Sequence, residues 1–237
     1  MNTALFKQTV KENCGLWLAM TVLQGLMLFG MGMNASVAMS AISYYNMLSE
    51  IFLAIYVVIT ASGLIAAKVE RGTMVYVLST PIKRSKVVMT QAIYLIVSLF
   101  LMFLISAVCH IIATSLSAGG LLEGDVSKIL FLNLGLFALG LAYSGICFLA
   151  SSIFNTTKQS SGLGGAIVGA QIIFPIVAMF SANYAFLKYL TLSTLFDIQE
   201  VMAGDDWFLL KMAILAAVGL VLYGVSIVAF KERDLPL

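Results

Sequence analysis

The amino-acid sequence predicts an all-α membrane protein with six transmembrane helices. Of its 237 residues, 61% are hydrophobic and only 10% are charged, whereas soluble domains carry about 25% charged residues. A run of about 20 apolar residues crosses the hydrocarbon core as a helix, because a helix satisfies its own backbone hydrogen bonds. Six stretches lack Asp, Glu, Lys and Arg, and they cover residues 15–36, 51–67, 87–116, 129–153, 162–181 and 212–230.

The same composition limits the functions that the chain can have. It excludes an ordinary soluble globule, a disordered chain and a protein that binds nucleic acid, and it leaves no room for a soluble domain of about 100 residues. Residues 1–237 are therefore expected to form a single membrane domain. Cys14, Cys109 and Cys147 lie far apart in the sequence. Their spacing favours free cysteines and predicts neither a disulfide nor a metal site.

The distribution of charge predicts the orientation of the spans. Connections that hold many Lys and Arg residues face the cytoplasm, so both termini are expected to be cytoplasmic. Ten of the 13 basic residues fall on one set of connections: Lys7, Lys11, Lys68, Arg71, Lys83, Arg84, Lys86, Lys158, Lys231 and Arg233. The alternate connections hold most of the acids: Glu50, Glu123, Asp125, Asp197, Glu200, Asp205 and Asp206.

Two segments outside the spans have an amphipathic pattern. Residues 1–14 place Phe6, Val10 and Cys14 at helical spacing, which predicts an interfacial helix that leads into the first span. Residues 182–208 are too apolar for a solvated loop and too interrupted for a span. They predict one or two short helices at the external interface, before the last span.

The sequence contains no means of powering transport. The glycine-rich run 161–166 lacks the Lys-Ser/Thr that a phosphate-binding loop needs. No predicted span contains a carboxylate that could coordinate a driving ion, and Pro175 is expected to kink its helix rather than break it. No catalytic residue is predicted. The energy source is therefore expected to lie on another protein.

A few polar side chains lie inside the predicted spans. His110, the only histidine in the chain, is either a proton-handling group or a side chain that is hydrogen-bonded inside the bundle. Gln24, Asn34 and Gln171 either line a substrate pathway or join helices by hydrogen bonds. The sequence leaves both pairs of alternatives open.

Residues 68–86 form the longest cytoplasmic connection and the most informative one. A short helix is predicted from Val69 to Leu78, and Pro81 ends it because proline disfavours helical geometry in the residue before it. Residues 74–78 are apolar or aromatic although they lie on an exposed loop. Such a cluster favours docking into a groove on a partner protein.

Several motifs in and beyond this loop resemble a known family. Glu70-Arg71-Gly72-Thr73, the stretch from Leu78 to Ile82 and Arg84-Ser85-Lys86 are similar to the loop between the second and third spans of ABC type-2 permeases. These permeases are the membrane subunits of bacterial ABC exporters. The closing residues 230–235 also resemble the family's basic tail. One departure is Tyr76-Val77, where many members have a second leucine or an acidic residue.

The resemblance implies a location, a set of partners and a set of contact residues. Residues 69–80 would form a coupling helix in a cleft of a separate ATP-binding subunit, which would hold ATP and Mg²⁺, so that this chain needs no cofactor of its own. Two permease chains, expected to be identical, would enclose a pathway lined by spans one, two and five in a bacterial cell membrane. The residues that match the family pattern or complete the docking surface are Glu70, Arg71, Gly72, Thr73, Tyr76, Val77, Leu78 and Pro81.

The cargo is not specified by a motif. An apolar bundle with 13 methionines suits a hydrophobic or amphipathic cargo of irregular shape, because methionine adapts to its surroundings. A peptide of the bacteriocin or phenol-soluble-modulin kind is favoured over a drug or a lipid. Two alternatives remain: a stand-alone carrier or channel driven by a gradient through His110, and a membrane immunity or scaffold protein that transports nothing.

Overall fold

The computed structural model describes residues 2–34, 36–74, 82–117, 120–180, 182–205 and 207–233. The described chain is almost entirely helical, and six of its helical segments are long and apolar enough to span a membrane. This confirms the predicted fold class. In chain order the elements are α1 (Thr3–Asn34), α2 (Val37–Tyr45), α3 (Leu48–Leu64), α4 (Ala66–Glu70), α5 (Arg84–Leu116), α6 (Asp125–Ile153), α7 (Thr157–Phe180), the 3-10 helices Ala182–Leu190 and Leu192–Leu195, α8 (Ile198–Ala203) and α9 (Trp207–Glu232).

The six spans are α1, α3 with α4, α5, α6, α7 and α9. Because they alternate in direction, the bundle has two ends. We call the end that carries residues 2–14, 66–74, 82–86, 154–158 and 231–233 the basic end. We call the opposite end, which carries residues 36–50, 120–128, 182–205 and 207–211, the acidic end.

The first span is longer than the sequence indicates. α1 runs without interruption from Thr3 to Asn34, so the segment expected as a separate interfacial helix is the first part of the same helix. Thr9 donates to Gln91 (3.1 Å), the Trp17 indole N–H donates to the Ser98 carbonyl oxygen (2.9 Å), and Gln24 accepts from Ser106 (3.4 Å). The residue numbers of the bonded pairs increase in the same direction along both helices, so α1 and α5 run parallel. The position of residues 2–14 relative to the membrane surface stays a prediction.

The second span differs from the prediction at its acidic end. The apolar stretch begins at residue 51, but α3 begins at Leu48 and includes Glu50 in its first turn. Glu50 is only 7% exposed. The expectation that Glu50 belongs to an external loop, and that no span holds a carboxylate, is therefore wrong. Helices begin where capping and packing allow, which is independent of where the run of apolar residues starts.

The same span is interrupted near its basic end. Ile65 leaves helical geometry and separates α3 from α4. The backbone N–H of Ala66 donates to the hydroxyl of Ser151 on α6 (3.0 Å), so the interruption is stabilised by a neighbouring span. Residues 66–70 are thereby fixed to the bundle, although residues 68–70 belong to the connection that the sequence assigns to the cytoplasm.

The fourth span is the centre of the bundle. Of the apolar stretch in α6, 72% is buried. It packs most closely on α9, where a Cβ atom added to Gly219 would lie 2.5 Å from the backbone carbon of Leu141. Gly145 allows the same approach from the other side, since a Cβ atom there would lie 2.9 Å from that of Leu222. Small residues let membrane helices approach closely and gain packing energy.

The acidic end contains short helical elements between the spans. The 3-10 helices Ala182–Leu190 and Leu192–Leu195 and the helix α8 precede the last span. They lie in the stretch for which the sequence predicts one or two short helices, and their position at an external interface stays a prediction. The sequence does not predict α2 (Val37–Tyr45). Tyr44 and Tyr45 of α2 are fully buried, so this segment is part of the bundle and not an exposed loop.

Candidate functional site

The loop between the second and third spans begins as a helix and then turns. α4 ends at Glu70, and Gly72 has a left-handed φ of +69° while its N–H donates to the carbonyl oxygen of Val69 (3.0 Å). Glycine adopts this conformation without steric cost and commonly follows the end of a helix. The predicted continuous helix from Val69 to Leu78 is therefore wrong, because the chain turns at residues 71–72. Helical geometry resumes at residues 73–74.

The predicted contact residues fall into two groups. Glu70, Arg71 and Thr73 are exposed on the basic end, and Gly72 is half-buried between them. Met74, which was expected to begin an exposed apolar cluster, is instead only 2% exposed and packs into the core. The other predicted contact residues, Tyr76, Val77, Leu78 and Pro81, lie outside the residues that the structure describes, as do Asp234 and Leu235 of the tail motif.

Glu70 connects the loop to the fifth span. Its carboxylate accepts hydrogen bonds from the backbone N–H (2.7 Å) and the hydroxyl of Thr157, the first residue of α7. The first N–H groups of a helix have no partner within the helix, and the helix dipole favours a negative charge there. Glu70 is thus an N-terminal cap supplied by a different span. The sequence assigns it a contact role but does not indicate this partner.

Two further contacts attach α4 to the bundle. Lys68 forms a salt bridge with Glu12 of α1 (3.0 Å), and the Ser151 hydroxyl holds the start of α4 to α6. α4 is therefore bonded to α1, α6 and α7. A displacement of this five-residue helix would act on three other spans as well as on its own.

The last span is fixed at the same end by its tail. The guanidinium of Arg233 donates to the carbonyl oxygen of Ser152 (2.7 Å) and to the side chain of Asn155. The Arg84 guanidinium in turn donates to the carbonyl oxygen of Arg233 (3.2 Å). These bonds join the basic ends of α5, α6 and α9. The tail arginine that carries part of the family resemblance therefore has a structural role in this chain.

A cavity of about 830 Å³ opens at the basic end. It lies between the first turns of α1 and the 66–73 segment, and its lining residues include Gln8, Glu12, Lys68, Arg71 and Ile82. The predicted contact residue Arg71 therefore faces a concave surface. Among the described residues, no group of three or more His, Cys, Asp or Glu side chains is placed to hold a metal ion.

Comparison with known proteins identifies the family. The family model for the ABC-2 family transporter protein matches residues 19–235, which is nearly the whole chain and includes the second half of the first span, the loop and all of the other spans. The chain belongs to the ABC-2 transporter family. It is thus the membrane permease component of an ABC transporter and a multi-pass membrane protein, as the loop motif indicated. No curated protein sequence matches it significantly.

The three polar residues predicted to line a pathway lie apart in this ABC-2 permease. Gln24 is fully buried and accepts a hydrogen bond from Ser106, while Asn34 is exposed at the end of α1 and donates to the carbonyl oxygen of Gly30 (2.8 Å). Gln171 accepts from the backbone N–H of Leu192 (2.7 Å). Each therefore has a structural partner, and their role in a pathway stays untested.

Gln171 also shows how the permease accommodates its intramembrane proline. α7 continues through Pro175 to Phe180, so the proline does not break the helix. Proline has no N–H and leaves the carbonyl oxygen of the fourth preceding residue, Gln171, without its helical partner. The hydroxyl of Ser193 donates to this oxygen (3.3 Å). The segment between the last two spans is thus attached to α7 at the point where the proline frees a backbone acceptor.

His110 lies in a hydrogen-bonded network inside the permease. The Ser40 hydroxyl is 3.0 Å from its Nε2 atom, and the Tyr45 hydroxyl is 3.1 Å from its Nδ1 atom. Asn133 donates to the same tyrosine hydroxyl (2.8 Å). Both ring nitrogens are therefore satisfied by α2, and the network joins α2, α5 and α6. This arrangement favours the structural alternative for His110, and the sequence does not indicate it because α2 is not predicted.

The structure adds one candidate functional residue, Glu50, that the sequence analysis missed. Glu50 lines a second cavity, of about 460 Å³, at the acidic end of the permease. Glu50 directly precedes an apolar run, which was interpreted as the boundary of the span. The neighbouring residues Ser43-Tyr44-Tyr45-Asn46 are the available signal, because such amphipathic side chains are typical of a membrane interface or a buried polar network.

Proposed function

We propose that this ABC-2 permease is the membrane-spanning subunit of an ATP-driven exporter in a bacterial cell membrane. Its basic end, with both termini, faces the cytoplasm, because ten of the 13 basic residues lie on the connections at that end. Membrane lipid surrounds the apolar outer faces of the bundle. The chain itself is not an enzyme in this proposal, and ATP and Mg²⁺ bind to a separate ATP-binding subunit.

The attachment of α4 to three other spans is the observation that carries this proposal. The exposed residues Glu70, Arg71 and Thr73 offer a surface to the ATP-binding subunit, and the bonds behind them lead to α1, α6 and α7. When the partner closes around ATP, its movement reaches the spans through these bonds. A loop that served only to connect two spans would not require a carboxylate that caps a third.

A second copy of the chain is expected to complete the pathway. Of the apolar stretches in α1 and α7, only 22% and 17% are buried, compared with 72% in α6. These two spans therefore present most of their surface to lipid or to another protein. A homodimer in which α1 and α7 face the partner copy would place the pathway between the chains, next to the second span.

The cargo that fits best is hydrophobic or amphipathic, with a peptide favoured over a drug or a lipid. The chain has 13 methionines, whose side chains adapt to irregular apolar surfaces. The cavity at the acidic end, which would be the external end, is partly apolar and contains a carboxylate. An amphipathic peptide carries both the apolar side chains and the polar groups that such a surface accepts.

The test is co-reconstitution of the permease with the ATP-binding subunit that is co-expressed with it. We expect the two to co-purify, and we expect Arg71→Glu to abolish the stimulation of ATP hydrolysis by the permease. Lys128→Glu is the matched control, because it makes the same change of charge at the acidic end. Unchanged stimulation in Arg71→Glu would overturn the assignment of the contact surface.

Two other results would overturn the export function itself. Transport in ATP-free liposomes that depends on a pH gradient and on His110 would identify a gradient-driven carrier. Binding of a peptide without net transport in a complete, ATP-supplied complex would identify an immunity or scaffold protein.

A further inference from the structure

The cavity at the acidic end lies between the second and fifth spans. One wall is formed by the end of α2 and the first turn of α3, and another by the last two turns of α7. Residues 193–199 cover it from the side of the short helices. Its volume of about 460 Å³ lies within the range of small-molecule binding sites, roughly 300–1,000 Å³.

Glu50 is the buried charged group in this cavity. It is more than nine-tenths buried, and among the described residues its carboxylate has no hydrogen-bond or ion-pair partner. Three other acids at this end have at least one partner: Asp125 accepts from the N–H of Leu122, Asp197 accepts from the N–H of Gln199, and Glu200 pairs with Lys211. Of the two buried acids described at this end, Asp125 has a hydrogen-bond partner and Glu50 has none.

An ionised carboxylate that is buried without a partner is costly, because the apolar surroundings replace its hydration. A cation inside the cavity would remove this cost. The local field also favours a cation, because no Lys or Arg is among the described residues that line the cavity, whereas Asp197 lines it as well. In addition, α7 ends beside the cavity, and the end of a helix carries a partial negative charge.

The walls indicate which kind of cation fits. A bare Mg²⁺ or Ca²⁺ ion requires about six or more oxygen ligands, and the cavity offers one buried carboxylate. Several lining side chains are instead apolar or aromatic, among them Ile42, Ile172, Ile176, Met179, Tyr45 and Phe196. Aromatic rings attract organic cations through their faces, and apolar walls bind the hydrocarbon part of such ions.

We propose that this cavity binds the cationic group of an amphipathic cargo, with Glu50 as its counter-ion. The proposal deepens the export function and rests on it for the identity of the ligand as cargo, whereas the binding itself requires only the permease. The buried acid also bears on the kind of substrate, because an apolar bundle without one would disfavour a charged group.

The binding test uses two ions of the same size and shape but opposite charge. Tetraphenylphosphonium and tetraphenylborate are titrated against the purified permease in lipid nanodiscs, without the ATP-binding subunit. We expect saturable binding of the cation and no saturable binding of the anion. We expect Glu50→Gln to weaken cation binding by about tenfold or more, because it removes a charge-assisted contact in a desolvated site.

Two matched variants control for folding and for charge. Glu123→Gln makes the same substitution at an exposed position of the same end, and we expect it to bind the cation like the parent. Glu50→Asp keeps the charge on a shorter side chain, and we expect it to retain more binding than Glu50→Gln. Each variant is first shown to unfold at a defined temperature, so that loss of binding is not loss of structure.

Three results would overturn the proposal: equal binding of the two ions, which indicates an apolar pocket only; undiminished cation binding in Glu50→Gln; and no saturable binding of the cation. These results are distinct from failure of the export function. If the cation binds through Glu50 but the ATP-binding subunit does not associate, the export function fails and the site stands. If the permease stimulates ATP hydrolysis but the cation does not bind, the proposed cation site fails and the export function stands.

Discussion

The two ends of the second span each carry a glutamate, and the two are in opposite situations. Glu70, at the basic end, is exposed but bonded to Thr157 at the start of α7. Glu50, at the acidic end, is buried but has no bonded partner among the described residues, and a cavity lies between it and the end of α7. The second span and α7 are therefore joined by a hydrogen bond at the basic end and separated by a cavity at the acidic end.

The direction of α7 explains this difference. A helix presents free N–H donors and a partial positive charge at its start, and carbonyl oxygens and a partial negative charge at its end. α7 starts beside Glu70 and ends beside the Glu50 cavity. It therefore binds a carboxylate at the basic end but cannot satisfy one at the acidic end. The joined end is suited to transmitting movement, and the open end is suited to binding a cation.

Removing the joined end should have the largest effect. We expect Glu70→Ala to reduce permease-stimulated ATP hydrolysis and export to the level without the permease, because α4 loses its connection to α7. Thr157→Val is the informative control: it removes the hydroxyl donor but keeps the backbone N–H donor, so a partial loss is expected. Export by Glu70→Ala at the parent's rate would show that the capping bond does not transmit movement.

The same substitution at the two ends should change stability in opposite directions. In the absence of a bound cation, Glu50→Gln should not lower the free energy of unfolding and should raise it by up to about 1–3 kcal/mol, the usual cost of a buried unsatisfied group. Glu70→Gln should lower it, because Thr157 loses a charged acceptor. Thermal unfolding of both variants in one detergent measures this. A lower melting temperature for Glu50→Gln would mean that its carboxylate has a stabilising partner.

Changing the turn after α4 should reduce coupling less than removing the Glu70 carboxylate does. Gly72→Ala forces a residue with a Cβ atom into the left-handed region, which costs roughly 1–2 kcal/mol. We expect reduced coupling between ATP hydrolysis and transport, because residues 73–74 lose their direction relative to Glu70. Asparagine tolerates this conformation better, so Gly72→Asn should retain more coupling than Gly72→Ala. An equal loss of coupling in the two variants would exclude the left-handed backbone conformation as the cause of that loss.

The salt bridge between Lys68 and Glu12 should matter least for stability. Glu12 is partly exposed, with 42% of its side-chain surface accessible, and exposed ion pairs contribute about 0.2–1 kcal/mol. We expect Glu12→Gln to lower the free energy of unfolding by about 0.5 kcal/mol at low salt, with the difference shrinking at high salt as the pair is screened. A decrease in the free energy of unfolding that does not depend on salt would indicate that packing, and not charge, joins α1 to α4.

The two ends also differ in how far the sequence could describe them. At the basic end, the motif from Glu70 to Thr73 indicated the proposed contact surface, but the partner of Glu70 and the turn at Gly72 came only from the structure. At the acidic end, Glu50 was assigned to a loop, and α2 was not predicted at all. The hydrogen-bond partners of His110, and the Ser193 hydroxyl that donates to the carbonyl oxygen of Gln171, likewise came only from the structure.

The sequence by itself determined the six spans, because a lipid core requires an apolar run of about 20 residues for each helix. It also determined the family, through a motif in one loop. The tertiary structure decided which polar side chains have partners, since Glu70 and Glu50 belong to one span but differ in burial and in what lies opposite them. Hydropathy depends on the composition of a segment, whereas a hydrogen bond depends on a donor that another segment brings within about 3 Å.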